Sequence, residues 1–175
     1  MAKDDVVYTY MKSPAGSMLL ARCEAGLTHI KFEEGKYLVK PKPNWRREDA
    51  PLLEAIDQLR AYFDGQRFRF DLPLAPAGTP FQQRVWEALR RIPCGETRSY
   101  GEIAKAIGFP TGSRAVGAAN GKNPIAIVIP CHRVIGADGK LTGYAGGLRI
   151  KKSLLDHEER MAKREGAQLA LAEGW

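Results

Sequence analysis

"SYGEIAKAIGFPTGSRAVGAAN", residues 99–120, reads as two short helices around a tight turn. Ser99 caps a helix that runs through Ile107, "GFPTG" turns the chain, and Ser113 caps a second helix that runs to about Asn120. Two short helices joined by a glycine-containing turn are the pattern of a helix-turn-helix, and an ordinary helical hairpin fits the same letters. The second helix gathers Ala115, Gly117, Ala118 and Ala119 around a single Arg114, although Gly117 costs about 1 kcal/mol of helix propensity against alanine. A smooth helix with one long cation can approach a polyanion closely. Small residues also suit tight packing against another helix.

Upstream, "TPFQQRVWEALRRI" (79–92) has Thr79 as cap, Pro80 at the first helical position, and Phe81, Val85, Trp86 and Leu89 on one face. Before it, "APAGTP" (75–80) has the composition of a linker, which sets a domain boundary near residue 76. From residue 6 to about 32 the chain alternates β-branched or aromatic residues with polar ones, with turn signals at Ser13–Gly16 and Ala25–Gly26, and predicts a small antiparallel sheet. An amphipathic helix follows in "DAPLLEAIDQLRAYFDGQ" (49–66), with Asp49 as its cap, Pro51 in the first turn and Gly65 after its end. "RFRFDLPL" (67–74) alternates and predicts one more strand on that sheet.

The 175 residues are 44% hydrophobic, enough to bury the core of one large or two small domains. The longest apolar runs, such as "PIAIVIP" (124–130), are too short to span a bilayer, and "MAKDDVVYTY" is charged where a signal peptide is apolar. A cytoplasmic protein without a membrane partner is the expectation. A formal charge of +7 makes nucleic acid a candidate partner. Cys23, Cys94 and Cys131 are widely spaced and form no CxxC pair, which argues against a disulfide framework or a four-ligand zinc site.

In "IPCHRV" (129–134), Cys131 stands beside His132. The run "IAIVI" predicts a strand that ends at Pro130 and a helical turn that begins at the cysteine. A helix N-terminus and the neighbouring His132 and Arg133 would favour thiolate. His132 is a candidate base, acting through a bridging water because adjacent helical residues point about 100° apart. "KSLLDHEER" (152–160) lies on a following helix, and its Glu158 is able to orient His132 across space, completing a nucleophile, base and orienter. Against this stands the plain reading of Cys131 as a small buried hydrophobe. A Cys131/His132/His157 metal site lacks a fourth ligand and the usual spacing.

Taken together, "NPIAIVIPCHRV", "SRAVGAAN", "SYGEIA", "GYAGGL" and the pair His157-Glu158 resemble the O6-alkylguanine-DNA alkyltransferases, also called methylated-DNA–protein-cysteine methyltransferases, over residues 79–160. The resemblance implies an α+β protein: an RNase-H-like N-terminal domain of sheet plus helix over 1–76, a mainly helical winged helix-turn-helix domain over 77–162 that binds DNA and carries the alkyl acceptor, and a tail over 163–175. It implies transfer of the alkyl group of O6-alkylguanine, and of O4-alkylthymine, in double-stranded DNA to Cys131, once per molecule. No metal or other cofactor is implied, and the protein is expected to be a monomer.

Carried over by motif, His132 is the base and Glu158 its orienter. Asn123 is the hinge between the recognition helix and the acceptor segment. Tyr100 assists extrusion of the base and meets the leaving guanine. Arg114 enters the space that the flipped base vacates. Ser113, Ala115 and Gly117 lie against the minor groove. The carbonyls of Cys131 and Val134 accept from the guanine amino group, Tyr144 walls the pocket, and the Ala145 amide donates to O6. Some relatives have serine at the position of Ala145, so a hydroxyl contact to O6 is absent here. Three rivals are a non-catalytic sensor of alkylated bases, a cysteine hydrolase, and a helix-turn-helix regulator. Relatives of the sensor kind replace the cysteine, a hydrolase needs an oxyanion hole, and a regulator needs polar base-reading side chains.

Overall fold

Apolar and polar side chains alternate through the first strands, and the sheet follows from that period of two. In the computed structural model, which describes residues 5–34 and 39–172, β1 (Val7–Ser13), β2 (Gly16–Cys23) and β3 (Gly26–Phe32) form an antiparallel meander. β1 turns Val7, Thr9 and Met11 inward and leaves Tyr10 and Lys12 exposed. β2 buries both faces: Met18 and Leu20 join the main core, whereas Ala21 and Cys23 pack with Val6 beneath Tyr8 and Trp45.

The fourth strand is not the predicted one. β4 (Arg46–Arg47) pairs parallel with β1, giving the order β3-β2-β1-β4. Two exposed arginines carry no alternation by which sequence could find them. The segment 67–74 forms a single parallel bridge, Leu74 to Leu27, with the Leu27 amide donating to the Pro73 carbonyl at 2.8 Å. Pro73 has no N–H to extend a ladder. The Gln58 side-chain amide also claims both backbone groups of Asp71 at 2.9 Å each, holding the segment against the first helix.

That helix, α1 (Leu53–Phe63), is entered through a 3-10 turn over Ala50–Leu52. Asp49 does not cap it with its side chain, because the Asp49 carboxylate accepts the hydroxyl of buried Thr9 instead. α2 (Pro80–Arg90) starts with the Thr79 cap, whose hydroxyl accepts the Gln82 amide while Gln82 Oε1 accepts the Thr79 amide. Next come β5 (Arg98–Ser99), α3 (Tyr100–Ala106) and α4 (Ser113–Gly121). Ser99 caps α3 reciprocally with Glu102. The cap of α4 is Gly112, not Ser113, which is the first helical residue. Gly112 closes the preceding turn by donating to the Phe109 carbonyl at 2.8 Å and accepts the Val116 amide at 2.9 Å, so backbone alone makes the corner.

Residues 124–130 form no strand. Ile125 bridges Ile30 of β3, and the chain then turns, with Ile127 at a φ of 69°. β6 (Val134–Ile135) pairs parallel with β5. α5 (Leu148–Ala172) runs without a break through the residues predicted as a tail; residues 173–175 lie outside the described ones. One core cluster spans both halves, taking in Met18, Leu20 and Ile30 from the sheet, Leu59 and Tyr62 from α1, Trp86 from α2, Val116 from α4 and Leu154 from α5. The Trp86 indole N–H donates to the Ala119 carbonyl at 2.9 Å and locks α2 to α4. Among the described residues, no helix is long and apolar enough to cross a membrane.

Two glycines give a direct check of this packing. A Cβ on Gly26, at a φ of 141°, meets the Pro73 carbonyl oxygen at 2.4 Å, whereas one on Gly108, at a φ of 73°, meets nothing within 4 Å. Gly26→Ala is expected to destabilise by about 2 kcal/mol or more, and Gly108→Ala by about 1 kcal/mol, the cost of left-handed backbone alone. Urea unfolding of the two variants measures the difference.

Candidate active site

Asn123 follows α4 and organises what comes next. Its Oδ1 accepts the Ile125 amide at 3.0 Å, and its Nδ2 donates to the Ile129 carbonyl at 2.8 Å, so one side chain closes the loop 125–129 from inside. β3 holds the same loop from outside: the Ile30 amide donates to the Pro124 carbonyl and the Ala126 amide to the Ile30 carbonyl, at 3.0 and 2.9 Å. The clamped loop delivers Cys131 into a 3-10 turn, Cys131–Arg133, all three residues of which are buried. Asn120 Nδ2 donates to the Cys131 carbonyl at 3.3 Å.

Glu158 of α5 is fully buried and collects donors from three other segments. His132 Nε2 lies 2.7 Å from Oε1, the Tyr62 hydroxyl donates to Oε1 at 2.8 Å, Arg133 donates through Nε at 2.8 Å and Nη2 at 2.9 Å, and the Gly95 amide reaches Oε2 at 3.3 Å. Burial alone would push its carboxyl up, but His132 and Arg133 hold it well below the usual range. Burial also drives His132 below its ordinary value, against the pull of Glu158. Facing a carboxylate, Nε2 is the end of the His132 ring that donates its N–H. Its Nδ1 has no hydrogen-bond partner among the described residues, so this lone pair is the basic end of the ring.

The charges around the cysteine differ from those read in the sequence. His132 and Arg133 turn toward Glu158, and a three-residue 3-10 turn supplies little dipole. Burial raises the Cys131 thiol, and the influences that lower it are a hydrogen bond from Asn123 and the ammonium groups of Lys31 and Lys151. Lys151 is completely buried; its Nζ donates to the carbonyls of Val134 and Thr142 at 2.5 and 2.7 Å. Both lysines escaped the sequence reading. Lys151 left a trace: it sits seven residues before Glu158 on the buried stripe of α5 with Leu154 and Met161. Lys31 left none. Tyr62 likewise looked like one more apolar position of α1. Of the other cysteines, Cys23 is buried in the sheet, and Cys94 is pushed up to about 12 by burial and by nearby Glu158, which makes it a poor nucleophile. His157 takes no part, since its Nε2 pairs with the Tyr62 carbonyl at 2.8 Å.

Cys131 lines a cavity of about 20 Å³ with Lys31, Asn120, Asn123, Tyr144, Ala145 and Gly146. That volume suits a water molecule and not a purine. It shares Lys31, Gly121 and Gly143–Ala145 with a groove of about 890 Å³, whose other walls include Tyr100, Gly117, Ala118, Lys122 and, from the first half of the chain, His29. Tyr100 is half-buried, with its hydroxyl 3.3 Å from the Thr142 carbonyl. Burial raises the Tyr144 phenol far above its ordinary range, and the adjacent Cys131 adds to this. Arg114 and Ala115 are exposed, Ser113 and Gly117 half-exposed, so the smooth face of α4 borders the groove. Val134 is buried, its carbonyl already accepting from Lys151.

A buried thiol, a histidine held by a buried carboxylate and an adjoining helix with an exposed arginine form a site suited to nucleophilic chemistry. The comparisons with known proteins agree. Residues 6–76 match the family model described as 6-O-methylguanine DNA methyltransferase, ribonuclease-like domain, and residues 80–160 match the corresponding DNA binding domain. The chain is 56% identical over 151 residues to the methylated-DNA–protein-cysteine methyltransferase of Methanosarcina acetivorans, covering 86% of this chain and 97% of that one. It is 52% identical over 155 residues to the same-named protein of Mycobacterium bovis, covering 89% and 93%. A crystal structure of Mycobacterium tuberculosis OGT in complex with DNA superposes with a TM-score of 0.83 at 50% identity, covering 89% of this chain and 94% of that one. The chain belongs to the methylated-DNA–protein-cysteine methyltransferase family.

The carboxylate cluster makes a stability prediction. Removing the Tyr62 hydroxyl withdraws a buried donor from an ionised acceptor, so Tyr62→Phe is expected to destabilise by about 1.5–3 kcal/mol, measured by denaturant unfolding at neutral pH.

Proposed function

We propose that this protein repairs alkylated DNA directly, moving the alkyl group of O6-alkylguanine, and of O4-alkylthymine, in duplex DNA irreversibly to Cys131. The observation that carries the reading is the buried row Cys131, His132, Glu158, with His132 Nδ1 as its free basic end, in a chain whose relatives bear that activity in their names. His132 Nδ1 takes the thiol proton through a water. The thiolate then attacks the alkyl carbon, the carbon–O6 bond breaks as the carbon–sulfur bond forms, and the electron pair departs with the base. Tyr100 donates to the developing anion of the leaving guanine, and the Ala145 amide donates to O6, placing donors where charge appears. No electrons enter or leave, so the step needs no redox cofactor.

A stacked base is out of reach of a buried thiol, so the base must be flipped; the cavity at Cys131 is far smaller than a guanine, so the walls must open. Arg114 fills the gap in the duplex, while Ser113, Ala115 and Gly117 let α4 sit close in the minor groove. The carbonyls of Cys131 and Val134 each keep a lone pair beside the one already engaged by Asn120 or Lys151. In this reading Asn123 is the hinge joining the recognition helix to the acceptor, the chain divides near residue 76, and the protein acts as a monomer. The thioether product is stable and no thiol stands ready to accept its alkyl group, so each molecule acts once.

Mixing the protein in known amounts with a duplex carrying one O6-methylguanine, then weighing the intact chain, tests this. One methyl per chain on Cys131, absent in Cys131→Ala, is the expected result. Tight binding to the lesion without a mass gain would make the protein a sensor of damaged bases, and no binding would return Cys131 to hydrolysis or packing. Arg114→Ala should slow methyl uptake from the duplex at least ten-fold and leave uptake from the free base unchanged. The methylated protein should melt below the unmodified one, because a methyl group overfills the buried site and costs about 1–3 kcal/mol. Calorimetry of the two forms decides that point.

A further inference from the structure

The groups nearest in sequence to Cys131 cannot provide the countercharge its thiolate needs. Arg133 is spent on Glu158 through two hydrogen bonds, and the carboxylate cancels it. His132 turns its Nε2–H to the same carboxylate, and burial disfavours its charged form. Asn120 and Asn123 carry no charge, and Tyr144, held protonated by burial, adds none. Two cations remain among the described groups that act on the thiol: Lys151 from α5 and Lys31 from β3.

The two lysines are not equivalent. Lys151 has two of its three N–H bonds committed to the carbonyls of Val134 and Thr142; burial lowers the pKa of both lysines, that of Lys151 to about 8. Among the described residues Lys31 has a single hydrogen bond, to the Asn123 carbonyl at 2.5 Å, and it lines the same cavity as Cys131. Its location is rigid as well. β3 pairs with the loop 124–126 through the backbone bonds of Ile30 on one side, and Asn123, which Lys31 holds by its carbonyl, ties the Ile129 carbonyl two residues before the cysteine. His29 beside it is driven down to about 4, by burial first and then by Lys31 and Lys42, so near neutral pH it neither competes for the anion nor adds charge.

We propose that Lys31 is a positioning residue for alkyl transfer: from the ribonuclease-like half of the chain, it holds the hinge at Asn123 and supplies positive charge that stabilises the Cys131 thiolate. This rests on Cys131 being the alkyl acceptor. The N-terminal half then contributes to the chemistry itself. The sign follows directly: a nearby cation favours the charged form of a thiol, so removing it moves thiolate formation to higher pH.

The test uses the full chain with three substitutions. Lys31→Met removes charge and donor, Lys31→Gln keeps a donor without charge, and Lys31→Arg keeps both. Thiolate formation is followed by ultraviolet absorbance against pH, with Cys131→Ser as the blank for the other two thiols. Single-turnover methyl uptake from an O6-methylguanine duplex is timed over the same pH range. Lys31→Met and Lys31→Gln should move the thiolate midpoint and the rising limb of the rate upward by about one pH unit or more, a ten-fold loss of rate below the limb, and converge on the unmodified rate at high pH. Lys31→Arg should follow the unmodified protein. Unchanged midpoints, or a loss of rate equal at every pH, would overturn the proposal and leave Lys31 a structural strut. A shifted midpoint in a protein that takes up no methyl at all would sustain Lys31 and refute the repair reading instead.

Discussion

The carboxylate of Glu158 is where the two halves of the chain and the active turn are fastened together. A charge completely removed from water is tolerated only when its lone pairs are filled, and here they are filled from α1 by Tyr62, from the turn after α2 by Gly95, and from the acceptor turn by His132 and Arg133. Each donor has to be where it is for the others to work. Loss of any one leaves part of a buried anion unsatisfied, so the geometry around Cys131 is held by a constraint shared among distant segments. The orientation of His132 follows from it, with Nε2 committed to the carboxylate and Nδ1 left for the proton.

Asn123 works in the same way with a neutral group. A buried loop carries backbone polar groups that need partners, and residues 125–129 satisfy theirs through the Asn123 amide on one side and β3 on the other. The loop is thereby stiff enough to hold Ile127 in a left-handed conformation. The first half of the chain thus contributes more than a scaffold, because the strand that clamps the loop is the one that carries Lys31 to the cavity.

Many elements were legible in the letters. Three strands appeared where polar and apolar residues alternate, α2 began at the Thr79 cap, α3 at the Ser99 cap, and Cys131, His132 and Glu158 could be put together before any coordinates. Three of the misreadings share a cause. Asp49 looked like a cap, and "IAIVI" and "RFRFDLPL" looked like strands, because local pattern cannot register a competing long-range partner, whereas Ser113 lost the cap locally, to Gly112. Thr9 took the Asp49 carboxylate, Gln58 took the backbone at Asp71, and β3 accepted a single bridge at Ile125 before the loop turned away.

What the sequence determined by itself was therefore the set of local choices and the identity of the family motif, since capping, alternation and a contiguous "IPCHRV" depend on neighbours a few residues apart. Which charges face the thiol was decided only by the tertiary structure. Lys31 meets the Asn123 carbonyl across 92 residues, and Tyr62 meets Glu158 across 96. Arg133, two residues from the cysteine, spends its charge elsewhere. Electrostatic influence depends on distance in space and on burial, and neither is written in the order of the chain.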